Sequence, residues 1–205
     1  MKKKIVAILT LLIMTFSLCA CGGPSPTETV TTFLNGIKAQ DNEAIHSVYS
    51  DDEFNFAGEL DLDDEDTGAE LSKVFTEQLL PLITSFEYTL SNEVIDGDHA
   101  TVDVTIKTYN FGNAFSSFFT NYLTQAFAMA FSDATEEDMD KLGANLLSTE
   151  LNNLTEMNTE KTATVHLSAI DDGWVIDEFE EEDPFYDALT GGMVSTMETL
   201  NESFE

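Results

Sequence analysis

The chain has 205 residues, 42% of them hydrophobic and 15 of them phenylalanine, a composition that argues for a packed core rather than disorder. Its eight basic residues, all lysine, face 39 acidic ones for a formal net charge of −31. That balance excludes nucleic acid, which is held by basic patches, and anionic lipid headgroups, which would repel such a surface. It suits calcium, cationic peptides or basic proteins, although solubility in an acid-rich proteome is the preferred reading of the charge.

The first 20 residues divide into zones. Lys2, Lys3 and Lys4 form a basic start, Ile5 to Leu18 is an uncharged and mostly apolar run, and Leu18-Cys19-Ala20-Cys21 closes it. The run is too short to span a bilayer and reads as a signal-peptide core. The last four residues match a lipobox: a branched apolar residue, two small residues, then cysteine. A thiolate is a strong enough nucleophile to take up a diacylglyceryl group as a thioether. Cleavage then leaves Cys21 as a lipidated N-terminus. Each buried methylene contributes about 0.8 kcal/mol, so two acyl chains exceed the threshold for stable anchoring.

Three lysines leave with the leader, so five lysines face 39 acids in the mature chain, a net −34. Cys19 leaves too, which removes disulfides and thiol catalysis from the expected repertoire. Gly22-Gly23-Pro24-Ser25-Pro26 reads as a tether, residues 21–26 in all. One α+β domain is expected over 27–205.

Helical spacing of Val30, Phe33, Leu34 and Ile37 predicts a first helix from about Ser25 to Ala39. Asp41 then caps a short second helix with Ala44, Ile45, Val48 and Tyr49 inward. The acidic stretch Asp51 to Glu70 reads as a loop. A third helix, about Ala69 to Ile83, carries Leu71, Val74, Phe75, Leu79 and Leu82. The period then changes to alternation: Phe86, Tyr88 and Leu90, then Ala100, Val102, Val104 and Ile106 after Asp96-Gly97-Asp98. This predicts a β-hairpin with positive φ supplied at Asp-Gly. A second hairpin has Ala163, Val165, Leu167 and Ala169 leading through Asp171-Asp172-Gly173 to Trp174-Val175-Ile176. Two hairpins imply a mostly antiparallel sheet of at least four strands.

Between the hairpins, a helix Phe111 to Phe131 carries Phe115, Phe118, Phe119, Tyr122, Leu123, Ala126 and Phe127 on a broad apolar face. A Thr135/Asp138 capping box opens the next helix, with Met139, Leu142, Leu146, Leu147, Leu151 and Leu154. Asp183-Pro184 starts a last helix that Gly191-Gly192 interrupts.

This order resembles the nuclear-transport-factor-2-like (cystatin-like) fold as used by small lipoproteins of Gram-positive bacteria. The likeness rests on Thr27 to Ile37 followed by Asp41-Asn42-Glu43-Ala44, on the hairpin Val94 to Val102, and on Asp172-Gly173-Trp174-Val175-Ile176-Asp177. It covers most of Pro26 to Phe179, and many such lipoproteins belong to families of unknown function. The resemblance implies N-terminal helices covering the concave face of a bent sheet, with a pocket that can open between them. The departure is the helical insertion at about 111–154.

Enzymes of that fold, such as ketosteroid isomerases, place acidic and tyrosine groups inside an apolar cone. Tyr88, Tyr109, Tyr122 and Asp103 are the candidate occupants here, although no motif matches residue by residue and structural tyrosines are the commoner case. His46, His99 and His166 fall on a helix, a turn and a strand, and form no metal, triad or nucleophile-elbow pattern. The run Asp61-Leu62-Asp63-Asp64-Glu65-Asp66-Thr67-Gly68 offers oxygen ligands for calcium but fails EF-hand spacing. Counting from Asp61, its sixth position is Asp66 and its twelfth Ser72. A solvated acidic loop is the preferred reading, and no metal or cofactor is expected.

The segment Phe111 to Phe131 has no charged residue. Its second face carries Asn113, Ser116, Ser117, Thr120, Asn121, Thr124 and Gln125. Polar residues at every turn exclude a transmembrane helix. Two readings stand: a helix buried between the sheet and its neighbours, which its apolar face already demands, or a face lining a pocket or contact. Ser117, Asn121, Thr124 and Tyr122 are the candidate residues of the second.

The expected function is that of a non-enzymatic binding or interaction module. The membrane is its partner through lipid at Cys21, and an envelope protein, a cationic ligand or a small molecule would occupy its surface. The alternative is a small-ligand carrier or enzyme using a cone pocket. A transporter's solute-binding component is disfavoured because it needs two larger lobes.

Overall fold

The computed structural model describes residues 23–51, 54–55, 68–129, 131–180 and 183–203. The leader, Cys21, and the acidic run up to Thr67 lie outside the described residues.

Helix α1, Pro26–Ala39, is preceded by Ser25 in extended conformation. The Glu28 amide donates to Ser25 Oγ and the Ser25 amide donates to Glu28 Oε2, at 3.2 and 2.8 Å. Two otherwise orphaned N–H groups are satisfied reciprocally, which is why the helix starts there. Asp41 accepts from the Ala44 amide and opens α2, Asn42–His46. Val48 and Tyr49 lie beyond its end and are buried, as their spacing predicts.

The third predicted helix has the expected extent but not one geometry. Helix α3, Ala69–Val74, runs through a π-helical segment, Phe75–Leu79, into α4, Leu80–Ile83. The Leu80 amide returns to the Phe75 carbonyl, and Pro81 has no amide hydrogen for the carbonyl four residues back. A widened turn accommodates that loss.

The fold is α+β. Strands β1 (Glu87–Asp96), β2 (His99–Thr108), β3 (Thr159–Ile170) and β4 (Gly173–Ile176) form one antiparallel sheet in that order. Asp96 pairs with His99 across a two-residue turn, with φ +66° at Gly97. The positive φ belongs to the first turn residue, where glycine carries no steric cost.

Alternation holds along β2, where Ala100, Val102, Val104 and Ile106 are buried. It fails at the far end of β3: Ala169, expected inward, is exposed. It also slips on β1, where Ser91 pairs with Asp103 and Val94 with Thr101, so Asn92 and Glu93 share one partner position. Asn92 takes φ +52°. This bulge turns Glu93 towards α1, and its Oε2 accepts from the Thr27 amide and hydroxyl at 2.9 and 2.6 Å. A carboxylate at a helix N-terminus is favoured by the helix dipole.

Between β2 and β3 stand α5, Phe111–Met129, and α6, Glu136–Asn152. Phe131, expected inside α5, lies in a turn beyond it. The Thr135/Asp138 capping box opens α6 as predicted. Helices α7, Pro184–Leu189, and α8, Met193–Glu202, follow, separated by the Gly191-Gly192 pair. Helix α5 packs on α8 and α6, and α6 on α3, which gives a helical layer beside the sheet. At its root the Gly112 amide donates to the Gly191 carbonyl. A Cβ on Gly112 would sit 2.5 Å from the Gly192 carbonyl oxygen, so α5 and α8 cross as closely as they do only because residue 112 is glycine. Among the described residues no helix is long and apolar enough to cross a membrane.

Candidate functional site

Between α1 and the inner face of the sheet lies a group of packed rings. Phe33 lies with its centroid 5.2 Å from Tyr49, 6.1 Å from Phe54, 5.8 Å from Phe179 and 5.9 Å from Phe185. Phe179 and Phe185 stack at 4.6 Å. These side chains belong to the cluster that covers the inner face of the sheet. Tyr49, not among the candidates from sequence, is the tyrosine within it. Its hydroxyl accepts from the Phe179 amide at 2.8 Å. Burial raises its pKa, only partly offset by hydrogen bonds to Phe179 and Tyr186, so the hydroxyl stays protonated and fastens the segment after β4.

The four sequence candidates for a cone site are not brought together. Tyr88 is half-buried near the start of β1 and donates to Asn35 Oδ1 at 3.0 Å, while Lys38 lies over its ring and that of Phe86. Burial raises the Tyr88 pKa, with the Asn35 contact opposing it. Tyr109 sits at the junction of β2 and α5, edge-on to Phe111. Tyr122 is far along α5, stacked on Phe118. Asp103 points to the opposite, polar face of the sheet. There Asn92 Nδ2 and Thr164 Oγ1 donate to it at 2.9 and 2.7 Å and hold its pKa below the ordinary value. Its work is to brace the bulge.

His46 Nε2 donates to the Phe54 carbonyl at 2.6 Å, a local tie. His99 and His166 converge at a shallow hollow of about 270 Å³ on the polar face, together with Asp96 and Asp177. The register of β2 on β3 creates this neighbourhood, which the sequence spacing conceals. Among the described residues no group of three or more His, Cys, Asp or Glu side chains is placed to hold a metal ion. The calcium candidate Asp61 to Gly68 lies outside the described residues except for Gly68.

Helix α5 departs from the burial reading. Only Phe111, Gly112 and Ala114 are buried; from Phe115 onward the helix is half-exposed or exposed. Leu123 is 41% exposed, Phe127 70% and Phe131 80%. Ser117 and Tyr122 are half-buried, whereas Asn121 and Thr124 face solvent. Asn121 donates to Glu150 Oε1 at 3.4 Å, and Thr124 to the Thr120 carbonyl at 2.8 Å. Beside the helix lie two hollows that share Phe118 and Phe119 as a wall. One, of about 630 Å³, lies against Phe75 and Met197; the other, of about 980 Å³, against Leu71 and Met139. The aromatic face of α5 that demands burial is thus only partly covered.

No protein-family model matches the chain, and no curated protein matches it. Three solved structures are similar in backbone. A candidate lipoprotein (ycdA) from Bacillus subtilis has a TM-score of 0.46 and 16% identity, covering 80% of this chain. The chain spans 54% of that protein's length. A candidate calcium/calmodulin-dependent protein kinase type II association domain from Thiobacillus denitrificans has a TM-score of 0.33 and 10% identity, over 78% of this chain and 99% of that one. A candidate dehydratase of the NTF2-like family from Streptomyces avermitilis has a TM-score of 0.29 and 14% identity, over 73% and 87%. At these scores none of the three likenesses transfers a function.

Proposed function

We propose that the chain is a lipid-anchored, extracytoplasmic binding module without chemistry of its own, and that the helical arm formed by α5 and α6 is its contact surface. The observation that carries this reading is the surface of α5: it has no charged residue, in a chain of net charge −31, and exposes Leu123 and Phe127, with Phe131 exposed in the turn beyond it. A freely solvated helix gains nothing from such a face, whereas a contact surface does. The separation of Tyr88, Tyr109, Tyr122 and Asp103 on different elements supports a binding module over a carrier or enzyme with a cone pocket. The basic start, apolar run and lipobox support attachment through Cys21 to the outer face of a cell membrane.

The anchor is tested by mass spectrometry of the native protein: a diacylglyceryl-modified Cys21 at the N-terminus is expected, and an unmodified thiol or retained leader would refute it. The contact surface is tested with a photo-crosslinking amino acid at position 124 in intact cells. A discrete crosslinked product is expected, and it should disappear in the Ser117→Asp, Asn121→Asp double variant. A product unchanged by both substitutions, with folding intact by circular dichroism, would remove the arm from the contact.

A further inference from the structure

The two hollows beside α5 differ from an ordinary gap between helices in the arrangement of charge around them. Phe118 and Phe119 form the wall they share. On one side Phe75, Phe115, Met197 and Leu200 make an apolar trough of about 630 Å³, with Glu198 at its margin. On the other side Leu71, Tyr122 and Met139 line a hollow of about 980 Å³, with Glu136, Glu137 and Asp140 around it. Among the described residues no lysine lines either one.

The carboxylates have different commitments. Asp140 accepts from the Glu70 and Leu71 amides and so caps α3. Glu137 is paired with Lys141. Among the described residues, Glu136 and Glu198 have no ion-pair partner. An aromatic ridge with an uncommitted carboxylate on each flank matches one class of occupant: apolar side chains for the hollows and cations for the margins. A neutral apolar ligand would leave the carboxylates unused, and an anionic one would be repelled by them and by the field of the whole molecule.

We infer that the arm binds a cationic amphipathic peptide segment, its apolar residues seated on either side of Phe118-Phe119 and its lysines or arginines against Glu198 and Glu136. This rests on the arm being the contact surface and adds the chemistry of the partner. Helix-in-groove recognition works in this way, with apolar anchors giving contact and flanking charges giving orientation. The charge-free α5 fits the centre of such an interface, where charged residues are depleted, and the acidic helices fit its rim.

The test uses protein expressed from its full sequence and reconstituted in phosphatidylcholine vesicles. A fluorescent synthetic peptide of leucine and lysine at helical spacing is co-sedimented with these vesicles and with bare ones. Saturable one-to-one binding that weakens as salt rises is expected. A peptide with glutamate in place of lysine should not bind. Glu136→Lys with Glu198→Lys should weaken the lysine peptide at least tenfold; both positions are exposed, so the fold is retained, as circular dichroism would verify. Phe118→Ser should weaken it comparably. Equal binding of the glutamate peptide, indifference to the double charge reversal, or no binding of the lysine peptide would each overturn the inference. In those cases the position-124 crosslink separates the two claims. If it persists in cells and is lost on Ser117→Asp with Asn121→Asp, the arm remains the contact surface and only the partner's chemistry is wrong.

Discussion

The sheet layer and the helical arm are built from similar residues and end in different states. Phe33, Phe86 and Phe185, on and against the sheet, are fully buried, and so is Phe111 at the root of α5, whereas Phe127 and Phe131 at the far end of the arm are largely in solvent. Phenylalanine is no more apolar in one place than in the other. The sheet offers a broad inner face that α1 and α7 close, while α5 packs chiefly on α6 and α8 and is half-exposed or exposed from Phe115 onward. Burial is decided by which surfaces are available to meet, and an apolar stripe left uncovered is a candidate for meeting another molecule.

Substitution in each region tests that contrast. The largest loss is expected from Phe33→Ala, which removes a ring in contact with four others. About 3–5 kcal/mol should be lost in urea unfolding, and a loss below about 1 kcal/mol would mean that the rings are not a packed core. At the root of the arm, Gly112→Ala forces a methyl to within 2.5 Å of the Gly192 carbonyl oxygen and 2.7 Å of Thr196 Oγ1. A cost of about 1–3 kcal/mol should appear with faster amide exchange in α5 and α8. Unchanged exchange would show that the crossing is looser than described.

Asp187 ties the sheet to α8, the helix on which α5 packs. It accepts from Lys161 of β3 and, at 2.9 Å, from the Ser195 amide in the first turn of α8, whose N-cap Gly192 has no side chain to offer. Burial pushes its pKa up, but these hydrogen bonds outweigh burial and hold the carboxyl below its ordinary value. A depressed folded-state pKa adds stability above the unfolded value, and that stability is lost as pH falls through the folded one. Asp187→Asn should therefore cost about 1 kcal/mol at neutral pH, a modest figure because solvent screens the half-exposed Lys161. The difference from wild type should shrink below about pH 4. A gap that stays constant across that range in urea titrations would show that the carboxylate's charge is not responsible.

A gain of similar size is expected from Thr108→Val. Its hydroxyl is buried without a hydrogen-bond partner, and an isosteric methyl removes the desolvation cost, raising stability by about 1 kcal/mol. A fall in melting temperature would reveal a partner for that hydroxyl. The smallest effect belongs to the tip of the arm. Phe127→Ser should change stability by no more than about 0.5 kcal/mol and yet alter association. A clear drop in melting temperature would place the tip in the fold rather than in a contact.

Local signals in the sequence determined a large part of this protein. The Asp41 and Thr135 caps, the Gly97 turn, the Asp183-Pro184 start and the alternation of β2 all act over a few residues, so their chemistry can be read from spacing alone. The identity of the four strands and the charge-free character of α5 follow from the same kind of reading. Three things were decided only by the tertiary structure. The bulge sends Glu93 to the first turn of α1, a contact across 66 positions that no local pattern encodes. The sheet register brings His99 and His166 to one hollow. The arm stays half-exposed because helical periodicity specifies which face of α5 is apolar but not how much surface is available to cover it, and that depends on how α3, α6 and α8 pack in space.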